Sequence, residues 1–218
     1  QPMPLFMDRD MTFDLFGDTS NTQSSHQLIQ LPGAELLFLP ALFEQQEADA
    51  LLVDLTHNIA WQQESISLYG QQHLLPRLTA WYGDEGSRYQ YSAVNLHALP
   101  WTPTLLSIKQ RMEAHSGGVQ FNSVLLNLYR NGSDGVAWHS DNEAELGSNP
   151  IIASVSFGQE RPFQLRHNQD KNLKYSLPLP HGSLLIMRGE TQRNWLHQIP
   201  KSTKKMAPRI NLTFRVVR

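Results

Sequence analysis

Polar and apolar residues alternate without a break from Arg209 to Val216. In a strand, that period of two puts Arg209, Asn211, Thr213 and Arg215 on one face, with Ile210, Leu212, Phe214 and Val216 on the other. The apolar face is suited to a core. The polar face has two readings: an edge kept soluble by its arginines, or an inward face whose two guanidiniums require an anion such as a dicarboxylate. Upstream the period changes. From about Phe43 to Ile59, Ala48, Leu51, Leu52, Leu55 and Ile59 recur on one side of a predicted helix. A second helix has clear punctuation. Thr102 can cap it, Pro103 suits its first position, Gly117-Gly118 can stop it, and Leu105, Leu106, Ile108 and Met112 form its apolar side. Beyond residue 119 the pattern predicts short strands at Phe121–Leu128, Ile151–Phe157, Phe163–His167, Leu173–Leu177, Ser183–Met187 and Ile210–Val217. Helices followed by many strands and turns predict an α+β, predominantly β fold: a double-stranded β-helix, or jelly roll, with supporting N-terminal helices.

With 218 residues and 40% hydrophobic content, the chain can bury one sizeable core. Residues 31–218 are therefore expected to form a single domain. Residues 1–30 are polar and interrupted and read as a mobile lead, in which Phe13-Asp14-Leu15-Phe16 is a candidate docking element. No membrane span or secretory leader is visible, so an intracellular monomer is expected, cytoplasmic in a bacterium and nuclear as an alternative in a eukaryote. The absence of cysteine removes disulfide frameworks and thiolate metal sites. A net charge of -2 means that nucleic-acid binding would need a local basic patch.

The candidate chemistry lies in the second half. Two histidines and one carboxylate can hold one face of a ferrous ion and leave other positions open, and His139-Ser140-Asp141 followed by His197 supplies that set. His-x-Asp alone says little, since a surface hydrogen bond is the readier explanation of it. Its context adds to it: Asn127 and Tyr129 share one face of a predicted strand, and the turn-rich Asn131-Gly132-Ser133-Asp134-Gly135 leads into Trp138-His139. The plainer alternative is an edge strand with an ordinary polar side.

Taken in order, Pro76-Arg77-Leu78-Thr79-Ala80-Trp81-Tyr82-Gly83, Asn127-Leu128-Tyr129, His139-Ser140-Asp141, Pro150 through Gly158, His181-Gly182-Ser183-Leu184-Leu185, His197 and Arg209 through Arg215 form a series. In these motifs the chain resembles the AlkB-type Fe(II)- and 2-oxoglutarate-dependent dioxygenases that repair alkylated nucleic acid. Pro76 to Gly83 and Phe121-Asn122-Ser123 look closer to the animal homologues acting on DNA, or on both DNA and RNA, than to the founding bacterial member. The resemblance implies a jelly roll in which His139, Asp141 and His197 hold Fe(II), Arg209 grips the far carboxylate of 2-oxoglutarate, Arg215 lies near its metal-bound end, and Asn127, Tyr129 and Asn211 give supporting contacts. It also implies oxidative removal of N-linked methyl or other small alkyl groups from nucleobases, consuming 2-oxoglutarate and O2 and releasing succinate, CO2 and an aldehyde.

The expected partner is alkylated DNA, with RNA as the alternative. An RNA or protein demethylase of the same superfamily and a non-catalytic jelly-roll binding module are the rival functions. Tyr91 matches the aromatic that packs on the target base opposite His139, and Tyr89 shares its strand face. Glu143 is placed to contact an exocyclic amino group or to favour a cationic base, or is simply a solvated acid. Tyr69 falls where duplex-acting relatives carry a wedge. Trp81 either lines the substrate side or packs. Lys201, Lys204 and Lys205 are candidate phosphate contacts, with Arg161, Arg166 and Lys171 as weaker ones.

Overall fold

The computed structural model describes residues 26–68, 70–85, 88–91 and 94–218, together with the side chains of these residues except 68, 88–91 and 94–97. The chain opens with strands β1 (Gln27–Leu31) and β2 (Ala34–Leu39), then helix α1 (Gln45–Asn58). Strands β3 (Ser65–Leu68), β4 (Gln71–Leu74), β5 (Leu78–Gly83), β6 (Arg88–Tyr91) and β7 (Val94–His97) precede helix α2 (Pro103–His115). There follow β8 (Ser123–Tyr129), β9 (Val136–His139), β10 (Ile152–Gly158), β11 (Arg161–His167), β12 (Lys174–Leu179) and β13 (Ser183–Arg188). A short helix α3 (Thr191–Asn194), β14 (Trp195–Ile199) and β15 (Arg209–Arg215) complete the order.

Two antiparallel sheets face each other. The larger runs β1-β2-β13-β10-β15-β8-β5 and the smaller β12-β11-β14-β9. Helices α1 and α2 cover the outer face of the larger sheet, where Ala48, Leu55, Leu105, Ile108 and Met112 pack against Val155, Leu212 and Phe214. A second core fills the space between the sheets, with Leu36, Phe38, Phe163, Leu165, Leu185 and Trp195 among its members. This is the jelly roll with N-terminal helical support that the pattern predicts. Helix α2 also follows its punctuation: the Thr102 side chain accepts a hydrogen bond from the Leu105 amide at 3.2 Å, and Gly117 and Gly118 leave the helix with positive φ.

Strand β15 lies between β10 and β8, and every one of its residues is buried. The polar face of Arg209, Asn211, Thr213 and Arg215 therefore meets a cavity, which excludes the soluble-edge reading. Pairing begins at Gln27, inside the stretch that composition assigns to the lead, because Gln27 lies opposite Phe38 of β2. Residues 1–25, including Phe13 to Phe16, lie outside the described residues. Strands β1 to β7, all before residue 119, correct the expected order of helices first and strands later. Strands β9 and β14 also escape the sequence pattern because both are short and interrupted by site residues.

Phe214 is fully buried and contacts the rings of Trp101 and Phe121 at 6.3 and 6.0 Å between centroids. Truncation there leaves a cavity that the sheet and helices cannot both close. Phe214→Ala should destabilise the fold by about 3–5 kcal/mol in denaturant unfolding. A loss below about 1 kcal/mol would show that this layer is not close-packed.

Candidate metal and co-substrate site

Two neighbouring strands of the smaller sheet bring the histidines together. His139, the last residue of β9, lies directly opposite His197 of β14, and their ring centroids are 4.3 Å apart. Val136 pairs with Ile199, so β9 spends three steps where β14 spends two, and the register shifts. The bulge lets Val136 and His139 both line the cavity. Asp141 enters from the loop just beyond. The donor atoms of His139, Asp141 and His197 lie within 4.8 Å of one another, close enough to hold one metal ion. Asp141 and His197 are buried while His139 is half-exposed, so the group opens on the His139 side.

The surroundings fit ligands for a divalent metal. His139 Nδ1 lies 2.8 Å from the Ala137 carbonyl, which calls for the proton on Nδ1 and leaves the Nε2 lone pair available. Burial, with His139 and Arg215 nearby, pushes the His197 pKa down to about 3, against the pull of Asp141, so its imidazole is neutral. Burial alone would raise the Asp141 pKa. The Arg215 guanidinium, whose Nη2 donates to Asp141 Oδ1 at 2.7 Å, together with the neighbouring His197 and His139 more than offsets it and holds the carboxyl below its usual range. The Asp141 amide donates to Gln192 Oε1 at 2.9 Å, which fixes the loop that presents the carboxylate.

The same cavity ends at Arg209, which is fully buried. Its Nη2 donates to Ser156 Oγ at 2.9 Å, its guanidinium carbon lies 5.1 Å from the Tyr129 ring centroid, and Nε and Nη1 have no hydrogen-bond partner among the described residues. Burial and the nearby Arg161 charge push its pKa down, with Tyr129 acting in the opposite direction. A guanidinium nevertheless stays charged in a protein. Such a buried charge with two idle donors needs an anion. The space between this end and the His–Asp–His group suits an acid with two carboxylates.

The predicted supporting residues converge here too. Asn127 lies opposite Asn211 on β8 and β15, and its Oδ1 accepts from Arg77 Nε at 2.8 Å. Asn211 donates to Ser154 Oγ and the Val155 carbonyl, at 2.8 and 3.0 Å. Arg77, Ser154, Ser156 and Gln192 were not singled out from sequence. The serines are legible afterwards in the alternation of Ala153, Val155 and Phe157 with polar residues, whereas Gln192, on a four-residue helix, carries no periodic signal.

The substrate-side candidates are more scattered. Tyr69 lies outside the described residues, as do the side chains of Tyr89 and Tyr91, although the β6 backbone that carries them pairs with β7. Trp81 is buried beside Leu146 and Val217, donates from Nε1 to Ser123 Oγ at 2.8 Å, and does not line the cavity. Glu143 is half-buried at the start of a 3-10 turn. Lys201, Lys204 and Lys205 are exposed on the loop before β15. That loop sits tightly on its neighbour: a Cβ on Gly132 would come within 2.7 Å of the Ser202 and Lys204 carbonyls. Arg161 is no phosphate contact. It is almost fully buried and donates to the carbonyls of Asn131, Asp134 and Pro200, tying the two loops together.

Two outcomes follow from this geometry. Below pH 6.5 the unfolded chain protonates His197 and the folded chain resists doing so, so stability is full above that pH and falls as pH drops toward 3. Denaturant unfolding of the metal-free protein should lose up to about 1.4 kcal/mol per pH unit in that window, and stability that does not change between pH 7 and 5 contradicts a buried neutral His197. Gln192→Ala should weaken binding of a divalent metal by about 10- to 100-fold while leaving the fold intact. Unchanged affinity would show that Gln192 does not hold the Asp141 loop.

The model of the 2OG-Fe(II) oxygenase superfamily matches residues 35–215. The chain is 43% identical over 187 residues to alpha-ketoglutarate-dependent dioxygenase alkB homolog 3 of Homo sapiens, covering 82% of this chain and 64% of that protein. It is 38% identical over 186 residues to DNA oxidative demethylase ALKBH2 of Homo sapiens, covering 81% of this chain and 71% of that one. Among solved structures, OsALKBH1 superposes with a TM-score of 0.61 at 17% identity, covering 87% of this chain and all of that one, a likeness of fold. A superfamily match spanning the strands that build the cavity, together with these identities, shows that the chain belongs to the 2OG-Fe(II) oxygenase superfamily, among its AlkB-type members.

Proposed function

We propose that this chain is an oxidative dealkylase of nucleobases, acting on N-alkylated DNA with RNA as the alternative target. The observation that carries the reading is the pairing, in one cavity, of a His–Asp–His group with a buried guanidinium that has two idle donors. The names of the relatives, a DNA oxidative demethylase and alkB homologues, support the substrate class. The chain spans 64% of the length of its alkB homolog 3 relative.

In this reading His139, Asp141 and His197 hold Fe(II), which together with 2-oxoglutarate and O2 supplies the oxidation of a carbon attached to nitrogen. Arg209 takes the far carboxylate through two parallel hydrogen bonds, for which a lysine would be a poor replacement. Tyr129 and Ser156 orient that guanidinium, and Asn127 and Asn211 line the path between the two ends. Arg215 keeps Asp141 ionised beside the metal-proximal end. The site lies between two sheets, so an alkylated base must leave its stack to reach it. Tyr91 and His139 then take the two faces of the base. Tyr89 and Glu143 contact its edge, Tyr69 fills the gap it leaves, and the lysines at 201, 204 and 205 meet phosphates. Residues 27–218, whose first strand already pairs in the larger sheet, act as one catalytic domain in an intracellular monomer. No described helix is long and apolar enough to cross a membrane.

The test is anaerobic reconstitution with Fe(II) and 2-oxoglutarate, addition of O2, and mass spectrometry of matched N-methylated single- and double-stranded DNA, RNA and peptide. Loss of the methyl mass from an oligonucleotide together with succinate is expected. Demethylation of the peptide alone contradicts the reading. Arg209→Ala should weaken 2-oxoglutarate binding at least about tenfold, the scale of a charge-assisted bidentate contact, and leave metal affinity nearly unchanged. Equal co-substrate affinity would remove Arg209 from the site.

A further inference from the structure

On the opposite side of the smaller sheet from the metal group lies a groove of about 420 Å³ lined by Trp138, Gln164, Arg166, Lys174 and Ser176. The bulge in β9 that turns His139 inward leaves Trp138 facing this groove. Arg166 sits with its guanidinium carbon 4.4 Å from the Trp138 ring centroid, and Lys174 lies directly opposite it on β12. Gln198 Nε2 donates to Gln164 Oε1 at 2.7 Å beside them. Neither Arg166 nor Lys174 belongs to an ion pair among the described residues. Asp170, on the turn between β11 and β12, is engaged with the Asn172 amide. The groove therefore holds two uncompensated cations, one of them already aligned over an indole.

Building on the dealkylase reading, we propose that this groove binds an unpaired nucleotide of the same strand that delivers its damaged base to the cavity. A nucleotide brings one phosphate and one planar face, which answer the two cations and the indole–guanidinium platform. An acidic peptide answers only the charge. The path is continuous as well. β9 is the edge strand of the smaller sheet, and its last two residues face opposite ways, His139 to the open side of the metal group and Trp138 to the groove. A strand leaving the cavity past His139 crosses that edge onto Trp138. Stacking there needs an unpaired base, so the groove favours single-stranded substrate.

The test compares an N-methylated mononucleotide with a ten-residue single strand carrying the same lesion. Trp138→Ala and Arg166→Gln should each raise KM for the longer strand about tenfold and leave the mononucleotide unaffected, while Trp138→Phe restores most of the difference. Fluorescence anisotropy of the labelled strand on metal-free protein should show the same loss, independent of turnover. Equal KM values for the longer strand in all variants overturn the groove proposal and leave the dealkylase reading standing. So does an acidic peptide of equal charge that displaces the strand as well as unlabelled DNA does. If the unaltered protein demethylates neither substrate, the dealkylase reading itself fails.

Discussion

The structure turns on a strand buried on both faces although one of those faces is polar. Ile210, Leu212 and Phe214 of β15 are held against the helices, and this forces Arg209, Asn211, Thr213 and Arg215 into the space between the sheets. Burying a guanidinium without a partner is costly, so each arginine needs a specific answer. Arg215 has one in Asp141. Arg209 has a serine hydroxyl and the Tyr129 ring, and two of its nitrogens have no hydrogen-bond partner among the described residues. The site is thus neutral at its metal end and positive at the other. That asymmetry gives a ligand its direction.

The smaller sheet adds the second constraint. Direct pairing of His139 with His197 brings two imidazoles together, and one extra residue in β9 sets which way the strand's last side chains point. Outer contacts then fix the ligand set: Ala137 selects the His139 tautomer, and Gln192 holds the backbone that carries Asp141. The placement of the three donors therefore depends on residues outside the group.

Much of this was legible in the sequence, for physical reasons that vary by element. β15, β10 and α2 were readable because an unbroken period of two, or a cap, a proline and paired glycines, are local signals. The three metal-type residues and the two arginines could be proposed because their chemistry is rare and their order matched a known series. What one strand could not reveal was whether its polar face met water, since that depends on a second sheet far away in sequence. β9 and β14 stayed hidden because each is short and carries a histidine on its inward face, and the bulge breaks the alternation of β9. Arg161 looked like a surface cation and proves to be a buried clasp between loops, because its three carbonyl acceptors come from segments up to 39 residues away. Trp81 could be read as lining or packing, and only the tertiary fold could bring Leu146 and Val217 beside it.

The cavity offers a seat for an acid with two carboxylates, with the His–Asp–His group at one end and the buried Arg209 guanidinium in the same space. Calorimetric titration of the Fe(II)-loaded protein without oxygen tests it directly, with 2-oxoglutarate compared against pyruvate, which has the same keto acid head but no far carboxylate. Binding of 2-oxoglutarate at least about tenfold tighter than pyruvate is the expected result, since only the former pairs the buried guanidinium. Equal affinity for the two acids would contradict the account.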